Sequence, residues 1–237
     1  MKYLLDNKLA PLTFNWGFLD ASAQAVSNAY ASWQRKILHS VKVIPINQQL
    51  ADALRELQPL DTGSQRVLFL GTRGEWTACF DNGAKGGNPS TFVGELAERL
   101  KCRGVVCGCV PNTLTRLDRG KPGTRGAVKF TLFAPEKREL LNIERSVSVI
   151  NDVGGWAFKS IGTAQSFEPI GRYVARRIVD RFTPEMLEDY CRALGIEPFD
   201  ETFYGGRGFI TYSYPWFLPR LPSVSLHEAR RQLGFSD

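Results

Sequence analysis

Histidine is almost missing from this 237-residue chain, which holds only His39 and His227. A Ser or Cys nucleophile needs a base beside it. His39 falls at the end of one predicted helix and His227 at the start of another, where each reads as a surface or capping residue. No Gly-x-Ser-x-Gly elbow is present, and no Gly-x-Gly-x-x-Gly fingerprint follows a predicted strand. Gly120-Lys121-Pro122-Gly123-Thr124 has the residue types of a phosphate loop without its spacing, and Pro122 removes a backbone donor where phosphate needs several. The sequence therefore points away from the commonest enzyme classes, without excluding every enzyme.

Long apolar runs are missing too. None approaches the roughly 18 residues that span a bilayer, and Asp6, Asn7 and Lys8 interrupt the short apolar start, so neither a membrane anchor nor a secretory signal is expected. Cysteine is scarce and odd in number: Cys79, Cys102, Cys107, Cys109 and Cys191. That count suits a reducing compartment better than a disulfide framework, and a cytoplasmic protein is expected. Cys102, Cys107 and Cys109 are close in sequence but lack the spacing of a zinc ribbon. They read as small core residues, and neither metal nor cofactor is expected. The one repeated motif is Gly-Thr-Arg-Gly at 71–74 and 123–126, with Gly-Gly-Arg-Gly at 205–208, read as three turns that each present an Arg.

What is present is an ordinary globular composition, 43% apolar, 23% charged and 11% aromatic, in a chain long enough to bury about 70–75% of its unfolded surface. Extended backbone is expected over Leu12–Phe18. A helix capped by Asp20 follows, with Val26, Tyr30, Trp33 and Ile37 at helical spacing, then a strand Val41–Ile46 and a helix capped by Asn47. Val67–Leu70 and Trp76–Phe80 flank a turn as in a hairpin. Ser90 opens a helix ending before Gly104, and Val105–Val110, apolar or Gly throughout, reads as a strand covered on both sides. Strands at Val128–Phe133, Ile143–Ile150 and Trp156–Ile161 come next. The last third predicts helices over Arg172–Phe182 and from Thr183-Pro184 to Gly195, a strand Phe209–Tyr214, and a helix opened by a Ser225/Glu228 capping box.

The fold class expected is a single α+β domain with a central mixed, largely antiparallel sheet flanked by N- and C-terminal helices. Its parts are a helical stretch 1–60, a sheet-rich core 66–161 and a helical stretch 168–237 with one strand, with a basic loop projecting from one sheet edge.

Charge is the least even property. Lys and Arg number 30 against 24 Asp and Glu. Arg99–Lys129 carries eight cations against Asp118, and Asp180–Glu201 carries seven acids against Arg181 and Arg192. Such polarity speaks to partners and steering. Cations at 99–103 bracket a helix end, which leaves Arg116, Arg119, Lys121 and Arg125 in the loop 111–126 as the candidate partner surface. Tyr214, Trp216 and Arg220, in an aromatic and proline-rich segment, are the second candidate, since Arg, Tyr and Trp carry interface energy. Asp81 and Asp152 each end a strand beside a glycine turn. Convergence at one sheet end would make them a metal or acid–base pair, although Asp beside Gly is also what turns require.

The reading is a non-enzymatic cytosolic binding protein whose partner is a protein with an acidic surface, an inhibitor of the toxin-neutralising (immunity) type. The alternative is a nucleic-acid-binding protein or metal-dependent nuclease or hydrolase using loop 111–126 with Asp81 and Asp152.

Overall fold

The computed structural model describes residues 2–37, 39–63, 65–114, 120–137, 142–152, 155–215 and 222–235, with backbone alone at His39 and Pro215. Nine strands build its frame: β1 (Asn15–Leu19), β2 (His39–Asn47), β4 (Arg66–Thr72), β5 (Thr77–Asp81), β6 (Gly104–Val110), β7 (Ala127–Phe133), β8 (Ile143–Asp152), β9 (Gly155–Gly162) and β10 (Tyr204–Pro215). They form one sheet in the order β2-β10-β4-β5-β1-β6-β7-β8-β9. Every pairing in it is antiparallel. The short strands β3 (Leu60–Asp61) and β11 (Ser223–Val224) pair separately. Five helices complete the α+β fold: α1 (Ala23–Lys36), α2 (Leu50–Arg55), α3 (Ser90–Leu100), α4 (Pro184–Arg192) and α5 (Leu226–Gln232).

Strand alternation gives the sheet two apolar faces. On one, Trp16, Phe18, Leu68, Phe80, Val105, Phe130 and Val147 pack with residues of the N-terminal coil, α2, α4 and α5. On the other, Val67, Phe69, Cys79, Val106 and Phe133 lie with Tyr30 of α1 and Phe92 and Leu96 of α3. Each such large side chain stabilises the fold by about 1.5–3 kcal/mol through burial. β6 lies between β1 and β7 and contributes to both layers, which is why it shows no polar alternation.

The order of strands corrects several expectations. No strand of the sheet is parallel to its neighbour. β1 and β2 fall where extended backbone is expected, but they join the main sheet, and β10 from the far end of the chain lies between β2 and β4. Loop 111–126 joins β6 to β7 in mid-sheet instead of projecting from an edge. Gly205, Gly206, Arg207 and Gly208 are not a turn but the bulged start of β10. Glycine is required there by proximity: a Cβ on Gly208 would lie 2.3 Å from the Phe69 carbonyl oxygen.

Among the helices, α4 matches its punctuation. Thr183 accepts from the Met186 N–H, Pro184 stands in the first turn and Gly195 has φ +77°. The Ser225 hydroxyl accepts from the Glu228 N–H at the start of α5, 3.1 Å. Elsewhere the caps differ: Ser22 caps α1 in place of Asp20, Asn47 ends β2 with Gln49 at the N-cap of α2, and Pro89 precedes α3. His39 begins a strand instead of ending a helix. No α-helix forms over Arg172–Phe182, where 3-10 turns occupy Ile170–Val174 and Ile178–Asp180. Val174 is 82% exposed. Among the described residues no helix is long and apolar enough to cross a membrane.

Candidate functional site

The antiparallel order places the ends of β5, β6, β8 and β10 at one end of the sheet, so Asp81, the root of loop 111–126, Asp152 and Tyr214 share that end. They do not converge. β5 and β8 are separated by β1, β6 and β7, so Asp81 and Asp152 stand four strand spacings apart, roughly 19 Å. Asp81 is buried and works as a staple. Its Oδ1 accepts from the Gly83 N–H and its Oδ2 from the Asn88 N–H, both at 2.9 Å. Gly87 closes that turn at φ +59°, where any Cβ would meet the Asp81 carboxylate. Asp152 is exposed, and its carbonyl accepts from Arg125 Nη1 at 3.5 Å. The geometry does not make the two carboxylates an acid–base or metal pair. No group of three or more possible metal-ligating side chains occurs among the described residues.

Loop 111–126 is latched at its root. Thr113 and Thr124 exchange backbone and hydroxyl bonds, and the Asn112 Oδ1 accepts from the Gly126 N–H at 2.9 Å and from Asn151 Nδ2 at 2.6 Å. Lys121 is exposed and Arg125 half-buried, while Arg116 and Arg119 lie outside the described residues. Among the described residues, Glu188 pairs with Lys2 and Arg192, Glu197 with Arg192 and Asp180 with Arg177.

A cleft of about 500 Å³ separates the loop root from the start of α4, lined among others by Tyr3, Cys109, Asn112, Trp156, Asp180 and Glu185. Burial pushes the Tyr3 hydroxyl and the Cys109 thiol up to about 12, so neither ionises near neutral pH. A hydrogen bond from its own backbone N–H holds the Glu185 carboxyl below its usual value. Cys107 and Cys109 do share a face. Cys107 Sγ lies 3.3 Å from Cys191 Sγ and burial pushes its thiol well up.

The other candidate surface is the β2/β10 margin. Tyr212 and Tyr214 stand on one face of β10 opposite Lys42 and Ser40, and with Ile44 these side chains line an open groove of about 360 Å³. The Arg66 guanidinium lies 5.2 Å from the Tyr212 ring centroid, a cation–π contact that keeps the charge at the surface. On the opposite face α1 covers the margin, with Tyr30 set edge-on to Phe69 and Phe92. Trp216 and Arg220 lie outside the described residues, so Tyr214 alone of that trio is placed.

This margin has no acid. The sequence contains neither Asp nor Glu between Asp20 and Asp52, nor between Glu201 and Glu228. Those two acid-free stretches are the ones that fold together as α1, β2 and β10. Among the described residues, Arg35, Lys36, Lys42, Arg66 and Arg207 accordingly have no carboxylate within ion-pair distance. Lys42 and Arg66 were missed from sequence because cations were counted along the chain, where they are scattered. The length of the acid-free gaps was the signal available.

At the opposite margin, charge is buried and satisfied. Arg145 Nε and Nη2 clamp the two Glu168 oxygens at 2.8 and 2.6 Å, and Arg145 Nη1 donates to the Gly162 carbonyl. The Tyr173 hydroxyl donates to Glu168 Oε2 at 2.6 Å and bonds Tyr190 of α4. Burial alone would raise the Glu168 carboxyl. Arg145, the Gln165 N–H and Tyr173 outweigh it and hold the group below its usual value. Burial and the Glu168 contact push Tyr173 up. The network ties residues 165–190 to β8.

Comparison of the chain with protein-family models, with curated proteins and with solved structures gives no match in any of the three.

Proposed function

We propose that this chain is a non-enzymatic binding protein whose β2/β10 margin docks a partner protein through an acidic surface of that partner. The observation that carries the reading is the acid-free pairing of β2 with β10, where Lys42 and the tyrosines 212 and 214 line one open groove and Arg66 lies over the Tyr212 ring. Tyr and Arg are the side chains that contribute most to interfaces, and like-signed charge speeds and selects an oppositely charged partner. Loop 111–126, with Arg116, Arg119, Lys121 and Arg125, is the second contact in this reading. It leaves the sheet at β6, four strand spacings or roughly 19 Å from β10. An ordinary interface of about 800 Å² per partner reaches that far. Trp216 and Arg220, which follow β10, belong to the same proposed contact. The narrower form is a cytoplasmic inhibitor of the toxin-neutralising type, in which the acidic partner is an enzyme blocked by the contact.

The test is affinity capture from the native host with the wild-type chain and with Lys42→Glu/Arg66→Glu. A polypeptide retained by the first, lost from the second and indifferent to nuclease treatment is expected, and its activity should fall on stoichiometric addition of the chain. Capture that needs nucleic acid, with DNA or RNA binding that falls steeply with salt, would replace this reading by the nucleic-acid one.

A further inference from the structure

Among the described residues β2 is hydrogen-bonded on one side only, and the phase of that bonding is fixed by several contacts. In an antiparallel pair, successive residues direct their N–H and C=O groups alternately toward the partner and away. The Ser213 N–H bonds the Gln65 carbonyl on the β4 side, and the Gln48 N–H bonds Gly206. Residues 208, 210, 212 and 214 of β10 therefore bond residues 46, 44, 42 and 40 of β2. Val41, Val43 and Pro45 face the open edge. Pro45 has no N–H to leave unpaired there, and Arg35 Nη2 reaches the Val41 carbonyl at 3.4 Å. Val43 is left with both its N–H and its C=O directed outward, between a proline on one side and a capped carbonyl on the other.

From this edge we infer that β2 accepts a short extended strand of the partner, acidic and apolar in alternation, by antiparallel strand addition centred on Val43. Main-chain bonds supply affinity in such a mode and alternate side chains supply specificity. Side chains of the added strand on the groove face lie beside Lys42, within the field of Arg66, so carboxylates are favoured there. Those on the other face lie beside half-buried Val41 and Val43, where β-branched apolar residues fit. Pro45 and the Arg35 cap keep the addition short. A second copy of the chain is a poor occupant, because β2 against β2 brings the Lys42 and Arg35 charges of two chains together. This docking mode rests on the reading of the margin as a binding surface, and its test separates the two.

The probe is a terminally blocked hexapeptide of alternating glutamate and valine, titrated into the full chain and followed by backbone amide resonances. Saturable shifts at Val41 and Val43, with Lys42, are expected. Val43→Pro removes the outward donor without touching a β10 bond, and it should weaken binding about tenfold or more. The backbone N-methylated peptide, which leaves the protein unaltered, should weaken to the same degree. Lys42→Glu should weaken it as well. If Lys42→Glu abolishes binding while Val43→Pro and the N-methylated peptide bind like the originals, strand addition is wrong and the acidic-partner surface stands. No binding of the peptide at millimolar concentration overturns strand addition by an acidic strand. A dimer in sedimentation that Val43→Pro dissolves makes the second copy the occupant and overturns it too.

Discussion

The two margins of the sheet use the same residue types to opposite ends. At β8 and β9, Arg145 and Tyr173 face inward and close on Glu168, whose side chain is 0% exposed. At the other margin, Arg66 of β4 lies over the Tyr212 ring of β10, with no carboxylate within ion-pair distance of the guanidinium among the described residues. An arginine that holds the fold together must be matched where it is buried, because an unpaired buried charge costs more than almost any other defect. An arginine left at the surface costs nothing to the fold, and its charge stays available to a partner. The difference separates structure from function without any motif.

The contrast breaks first at the buried margin. Arg145→Met or Glu168→Gln should lower the unfolding free energy by about 3–5 kcal/mol in urea denaturation, because each leaves a partner uncompensated. The same group sets an acid limb. The folded Glu168 carboxyl sits below its unfolded value of 4.5, so its contribution is complete above that value and is lost as pH falls through the folded one. Midpoints followed by circular dichroism from neutral pH downward should fall more shallowly in Glu168→Gln than in wild type.

Asp81→Asn comes next, at about 1.5–3 kcal/mol for weakened charge-assisted bonds to Gly83 and Asn88. The non-enzymatic reading predicts no loss of partner capture with it. A folded Asp81→Asn chain that had lost a measurable hydrolytic activity would reinstate the catalytic alternative. Thr183→Ala removes the cap of α4, the helix that brings Tyr190 to the network, and should cost about 1 kcal/mol. The smallest effect on stability belongs to Lys42→Glu/Arg66→Glu, within about 0.5 kcal/mol of wild type, accompanied by loss of the partner.

Much of the fold was legible because local chemistry and tertiary context agree in it. β6 is apolar or Gly at every position and is covered on both sides, and Thr183, Pro184 and Gly195 punctuate α4 where the helix begins and ends. The hairpin of β4 and β5 followed from its turn. Residues 172–182 show how the pattern fails. Val174, Ile178 and Phe182 have helical spacing, yet the Tyr173 hydroxyl is bound to Glu168 and Ala175 is extended at ψ 141°, so tertiary bonds override the period.

The glycines at 205–208 imitate a turn but serve close contact between strands. Of the candidate site, Tyr214 was found by composition. Lys42 and Arg66 were not, because their significance lies in the acids missing from segments far apart in sequence that only the sheet order brings together.

The central claim is that the β2/β10 margin binds and does not hold the fold. Urea unfolding and partner capture, measured on one preparation of Lys42→Glu/Arg66→Glu, test it most directly. The account predicts an unfolding midpoint close to wild type with the partner lost. A fall of several kcal/mol, or capture undiminished in a fully folded variant, would contradict it.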